Sequence, residues 1–150
     1  PDDPRFLSPD DMTAAITDYC DETKQPIPQT PGQFARCILE SLSLLYGQTL
    51  DGLQELTGRT LTKLHIVGGG SQSTLLNQLA ANATGRTVLA GPVEATAVGT
   101  VLIQAIAMGD IDSLTELRNT VRNSFSIETF QPEPSSAWQQ ARNRFADLKA

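Results

Sequence analysis

The chain is poor in the residues from which most enzyme centres are assembled. His65 is its only histidine, so neither a Ser-His-Asp set nor an HExxH zinc helix can be built from it. It reads as an ordinary strand side chain. Two cysteines, Cys20 and Cys37, are too few for a disulfide scaffold and lack metal-ligand spacing; they read as thiols in helix packing, with a bridge between them left open. No clustered carboxylate pair is present. Positive charge is short as well. With 11 Lys and Arg against 17 Asp and Glu, the net charge of -6 disfavours nonspecific binding to nucleic acid or to an anionic membrane surface. No apolar run approaches membrane-spanning length, and no leader pattern opens the chain. The expected location is therefore cytoplasmic, with reduced thiols. The start, Pro1-Asp2-Asp3-Pro4, has no Met and suggests a trimmed piece of something longer.

What is there is an ordinary globular composition, 39% hydrophobic and 19% charged over 150 residues, enough for one sizeable core. Pro1 to Leu7 reads as an extended lead-in, and Ser8-Pro9-Asp10 as a cap and first turn of a helix from about Asp10 to Glu22. Residues 24–31 hold three prolines and form a connector, since proline forbids a continuous helix. Thr30-Pro31-Gly32-Gln33 fits a capping box that opens a long helix to about Thr57, stopped by Gly58. Phe34, Cys37, Ile38, Leu42, Leu45, Tyr46, Leu53 and Leu56 mark one face of it. Leu39, Leu44 and Leu50 widen the stripe, which implies burial on two sides.

The second half alternates between strand and helix. Leu64 to Val67, a helix from about Gln72 to Thr84 stopped by Gly85, and Thr87 to Ala90 make a β-α-β unit. Gly91-Pro92 turns the chain into a helix from Glu94 to Met108, ended by Gly109. Ser113 and Glu116 offer a second capping box. Ser126 to Phe130 suits an edge strand, Pro132 and Pro134 punctuate, and Trp138, Ala141, Phe145 and Leu148 mark a final helix. Such alternation implies an α/β fold with a largely parallel sheet. So few strands for so many helices suggests that others lie upstream of Pro1.

The stretch that organises this half is Leu64-His65-Ile66-Val67-Gly68-Gly69-Gly70-Ser71. A strand that ends in three glycines and leads into a helix lets the backbone approach a ligand closely. The unpaired N–H groups of the helix start favour an anion, so phosphate is the first ligand to weigh. A P-loop needs a Lys before the helix, and none follows Gly70. A dinucleotide fingerprint needs a glycine where Ser73 stands, and an acid where Ala90-Gly91-Pro92 stands. A tight turn without a ligand remains open. Glu94 is most simply an acid complementing a helix dipole.

The run from Leu64 to Gln78, followed by Gly91-Pro92-Val93-Glu94-Ala95 and Gly99, resembles the C-terminal domain of the FGGY carbohydrate kinases. Thr30-Pro31-Gly32, Ala35-Arg36-Cys37-Ile38 and Ser41 to Tyr46 resemble the helix preceding this strand in one branch of that family. The likeness spans most of Asp10 to Pro132. It implies that residues 1–150 are part of an actin-like, ribonuclease H-like ATPase domain, the C-terminal half of a kinase, present as a helix-rich fragment with few strands. In the family, two such domains close over ATP, Mg²⁺ and a sugar, and the γ-phosphoryl passes to a sugar hydroxyl. The resemblance places nucleotide first at Gly69, then at Gly70 and Ser71, with Gly68 and Thr74 after them.

The family's phosphate loop, sugar-binding residues and aspartate base would all lie upstream. No catalytic residue and no metal ligand is therefore assigned, the sugar is expected mainly on an absent N-terminal domain, and the fragment alone is expected to be inactive. Apolar surface on the long helix, left without those strands, would favour self-association. The competing reading is a noncatalytic helical assembly module in which the glycine turn is only a turn.

Overall fold

A computed structural model describes residues 1–133 and 135–148; the break read at Pro134 lies outside them. The lead-in is not wholly extended. Pro4–Phe6 form a 3₁₀ turn because the Asp3 carboxylate accepts from Arg5 N–H at 2.9 Å. Arg5 then donates to Glu22 at 2.8 Å and stacks 4.9 Å over the Tyr19 ring. Helix α1 (Met12–Glu22) is capped by Asp11, not by Ser8. The Asp11 carboxylate takes the N–H groups of both Thr13 (2.8 Å) and Ala14 (3.0 Å), which fixes the helix start two residues after the expected one. Cys20 is buried and Cys37 half-buried, both as free thiols. Burial first, then the neighbouring Cys37 thiol, push the Cys20 thiol above the ordinary range.

Helix α2 (Pro31–Thr57) has the expected capping box, Gln33 N–H to Thr30 Oγ1 at 3.3 Å and Thr30 N–H to Gln33 Oε1 at 3.2 Å. It stops at Gly58, whose φ of +65° is left-handed. Strand β1 (Lys63–Ile66), helix α3 (Thr74–Thr84) and strand β2 (Thr87–Ala90) form the β-α-β unit, with β1 and β2 parallel. Helices α4 (Ala95–Met108) and α5 (Leu114–Ser124) follow. Strand β3 (Glu128–Phe130) returns antiparallel to β2, and helix α6 (Ser136–Asp147) closes the chain. The sheet is thus mixed, in the order β1-β2-β3. The expected largely parallel sheet gives way because the last strand comes back as an edge.

The core lies between this sheet and α3. Ala80, Ala81 and Val88 are fully buried, with Tyr46 of α2, Leu64, Ile66 and Phe130 packed around them. Small residues let α2 and α3 come together: Ser43 is inaccessible, and a Cβ at Gly47 would lie 3.4 Å from the Ala83 carbonyl. The marked face of α2 is not covered throughout as expected, since Leu53 is 44% and Leu56 86% exposed. Helix α4, the most apolar helix, likewise leaves Val101, Ile103 and Met108 exposed.

A charged clamp ties the layers. Asp51 of α2 accepts from Arg86, just before β2, at 2.7 Å and from Arg142 of α6 at 2.9 Å. Burial raises the Asp51 carboxyl, but hydrogen bonds and charge from Arg86 and then Arg142 outweigh it and hold the group below its ordinary value.

Candidate functional site

In an open α/β sheet, the carboxyl ends of parallel strands are where ligands are received. Here those ends are Ile66 and Ala90, and the loops that leave them are joined side by side. Gly68 N–H donates to Pro92 O at 3.2 Å, and Gly91 N–H donates to Ile66 O at 2.9 Å. Gly91 takes φ +115°, with the following peptide cis. Helix α4 starts one turn later, with Glu94 in its cap position and no side-chain capping bond. The glycine turn and the start of α4 therefore share one rim.

The glycines themselves wind into a 3₁₀ turn, Gly68–Gln72, and do not lead directly into α3. Ser71 Oγ donates to Gly68 O at 2.7 Å and Ser73 N–H to Gly70 O at 3.2 Å, which closes the turn. Ser73 is extended and caps α3 by accepting from Leu76 N–H at 3.3 Å. The helix expected from Gln72 hence begins at Thr74, and one of its first N–H groups is already engaged by protein.

The five residues singled out from the sequence fall within this one short segment, but for different reasons. Gly68 needs its positive φ of +72°. Gly70 is tight against the core, since a Cβ would come within 3.4 Å of Ile66 Cγ2 and 3.9 Å of Leu76 Cδ2. Gly69 has neither reason: it is exposed, its φ is not positive, and a Cβ there would meet nothing within 4 Å. Ser71 is half-buried and closes the turn, and Thr74 is exposed at the first position of α3. Val67, Leu75 and Val93 leave apolar surface beside these backbone groups, at 50%, 49% and 38% exposure. His65 is exposed on β1, as a strand side chain should be.

One residue of the site was not legible as such. Asn77, in the first turns of α3, is fully buried, and its Nδ2 donates to Ser71 O at 2.9 Å. Its Oδ1 is buried without a partner among the described residues. The available signal was a lone amide on a helix face otherwise made of Leu76, Leu79, Ala80 and Ala83.

The model of the FGGY family of carbohydrate kinases, C-terminal domain, matches residues 1–108, a span that holds both loops of the rim and runs to the last residue of α4. The chain belongs to the FGGY family of carbohydrate kinases. A rhamnulokinase of Bacteroides thetaiotaomicron is 46% identical over 145 residues, 97% of this chain and 30% of that relative. The FGGY chain thus spans about a third of the length of the curated relative it matches. Among its described residues, no group of three or more His, Cys, Asp or Glu side chains could hold a metal ion, and no helix is long and apolar enough to cross a membrane.

Proposed function

We propose that this chain is the nucleotide-binding C-terminal part of an ATP-dependent sugar kinase, a cytoplasmic rhamnulokinase that converts L-rhamnulose and ATP to L-rhamnulose 1-phosphate and ADP. The observation that carries the proposal is Gly69. It sits at the carboxyl end of a parallel strand pair, in a segment matched by the FGGY family, and among the described residues nothing in the packing or backbone requires a glycine there. A ligand lying against the turn does require one, because any side chain would project into the volume it occupies.

The residues fit a nucleotide. Backbone N–H groups of Gly69, Gly70 and Ser71 suit phosphate or ribose oxygens, Gly68 and Thr74 frame them, and the apolar surface of Val67, Leu75 and Val93 suits a base. ATP with Mg²⁺ supplies the transferable γ-phosphoryl. Phosphoryl transfer depends on positioning and on stabilising charge, and this chain contributes a turn that holds its shape without titrating. The sugar, the base that takes its hydroxyl proton and the metal ligands belong to the remainder of the kinase, so the 150 residues alone do not phosphorylate a sugar. The exposed apolar surface of α2 and α4 suits association, with that remainder or with a second copy. Family membership favours this enzyme reading over an assembly module with a purely structural turn.

Gly69→Arg in the full-length protein tests the proposal. The Michaelis constant for ATP is expected to rise far more than that for the sugar. Equal loss on both substrates, or no change, sinks it.

A further inference from the structure

A turn built from three glycines cannot hold itself, because glycine loses more conformational freedom on ordering than any other residue. Contacts from the residues around the glycines must fix it, and Ser73 N–H, donating to Gly70 O at 3.2 Å, is one of them. Ser71 Oγ reaches back to Gly68 O, and Gly68 N–H crosses to Pro92 O. The remaining side-chain tether is the Asn77 amide, which donates to Ser71 O at 2.9 Å from a fully buried position. Asn77 is itself held, since its backbone N–H donates to Ser73 O at 3.0 Å.

The other half of the amide shows why an Asn is there. Its Oδ1 is buried with no partner among the described residues, an arrangement that costs stability. Were packing the only requirement, an apolar side chain would fill the site beside Leu76 and Ala80 without stranding an acceptor. The residue is explained by its donor. We infer that Asn77 is a positioning residue for nucleotide binding: its amide holds the Ser71 carbonyl, near the far end of the turn, and so keeps the preceding glycines in the conformation that the nucleotide meets. The inference rests on the reading of the turn as the nucleotide site.

Asn77→Leu in the full-length protein separates this role from a structural one. The change takes the donor from Ser71 O and enlarges a buried side chain, so some stability to urea is lost, while the Michaelis constant for ATP rises about three- to tenfold, the factor one neutral hydrogen bond commands. The constant for the sugar stays within about twofold, because the positioning argument reaches only the turn. A leucine variant that is stable and keeps the wild-type ATP constant overturns the inference.

Asn77→Asp guards against a leucine variant that does not fold. A carboxylate offers Ser71 O no donor, whereas a protonated carboxyl does, and burial raises its pKa. The ATP constant of that variant, relative to wild type across pH 5.5 to 8, is expected to fall toward wild type as pH decreases; a ratio independent of pH refutes the role. If Gly69→Arg leaves the ATP constant unchanged, the nucleotide reading itself fails. If Gly69→Arg raises it and both Asn77 variants do not, only the positioning role fails.

Discussion

Gly91→Ala is the perturbation on which the geometry of the rim makes its sharpest demand. A Cβ at Gly91 would stand 3.0 Å from the Ser126 carbonyl oxygen, a backbone atom that no rotamer change can move, and 3.8 Å from Ile127 Cα. Its φ of +115° is one that L residues rarely adopt. Holding alanine there costs roughly 1–3 kcal/mol, and the enforced shift of the chain entering β3 adds a similar overpacking term, roughly 1–3 kcal/mol. The reduced freedom of the unfolded chain returns only about 0.4–1 kcal/mol. A net loss of about 2–4 kcal/mol is expected. Urea denaturation followed in parallel by circular dichroism and by fluorescence of Trp138, the single tryptophan, measures it. Gly69→Ala is the control. With open space around its Cβ and no positive φ, it should change stability by no more than about 0.5 kcal/mol. A Gly91→Ala loss no larger than that of the control would refute the reasoning.

The clamp on α2 gives a second expectation. Asp51→Ala should cost about 1–2 kcal/mol: two charge-assisted bonds are lost, but Asp51 is 42% exposed and Arg86 keeps the carbonyls of Leu61 and Thr84. Because the folded carboxyl titrates below its ordinary value of 3.8, that contribution is complete at neutral pH and is lost as pH falls from about 4 through the folded value. The stability difference between wild type and Asp51→Ala should thus be flat from about pH 6 to 8 and shrink in acid; a difference that grows in acid contradicts the clamp. Thr30→Ala removes the acceptor for Gln33 N–H at the start of α2. It should lower stability by about 0.5–2 kcal/mol, and an unchanged denaturation midpoint would contradict the capping role of Thr30.

Local signals carried most of the fold. Thr30 with Gln33, Ser113 with Glu116, and the glycines at 58, 85 and 109 mark helix ends by contacts within a few residues, and each lies where those contacts place it. Two starts were displaced by competition between neighbours. Asp11 offers a carboxylate to two N–H groups and so displaces Ser8 as the cap of α1, while an extended Ser73 separates the glycine turn from α3. The candidate site was legible as a glycine turn after a strand, and the reason for each glycine was not, because the reasons differ in kind. Gly70 answers to Ile66 and Leu76, and Gly68 to its own backbone, whereas Gly69 answers to no protein atom. Asn77 and the Asp51 clamp were out of reach for another reason. The clamp joins residues 35 and 91 positions apart, and no local pattern encodes such a pairing.

The two hydrogen bonds that cross between the loops run in opposite senses, Gly68 giving to the second loop and Gly91 giving back to the first strand. Separating the loops breaks both at once, so the rim opens as a unit or stays shut. A ligand held at the glycine turn would therefore also fix the loop that leads into α4, a helix of fourteen residues none of which is fully buried in the described chain, so that order at the turn is passed to the start of the apolar helix.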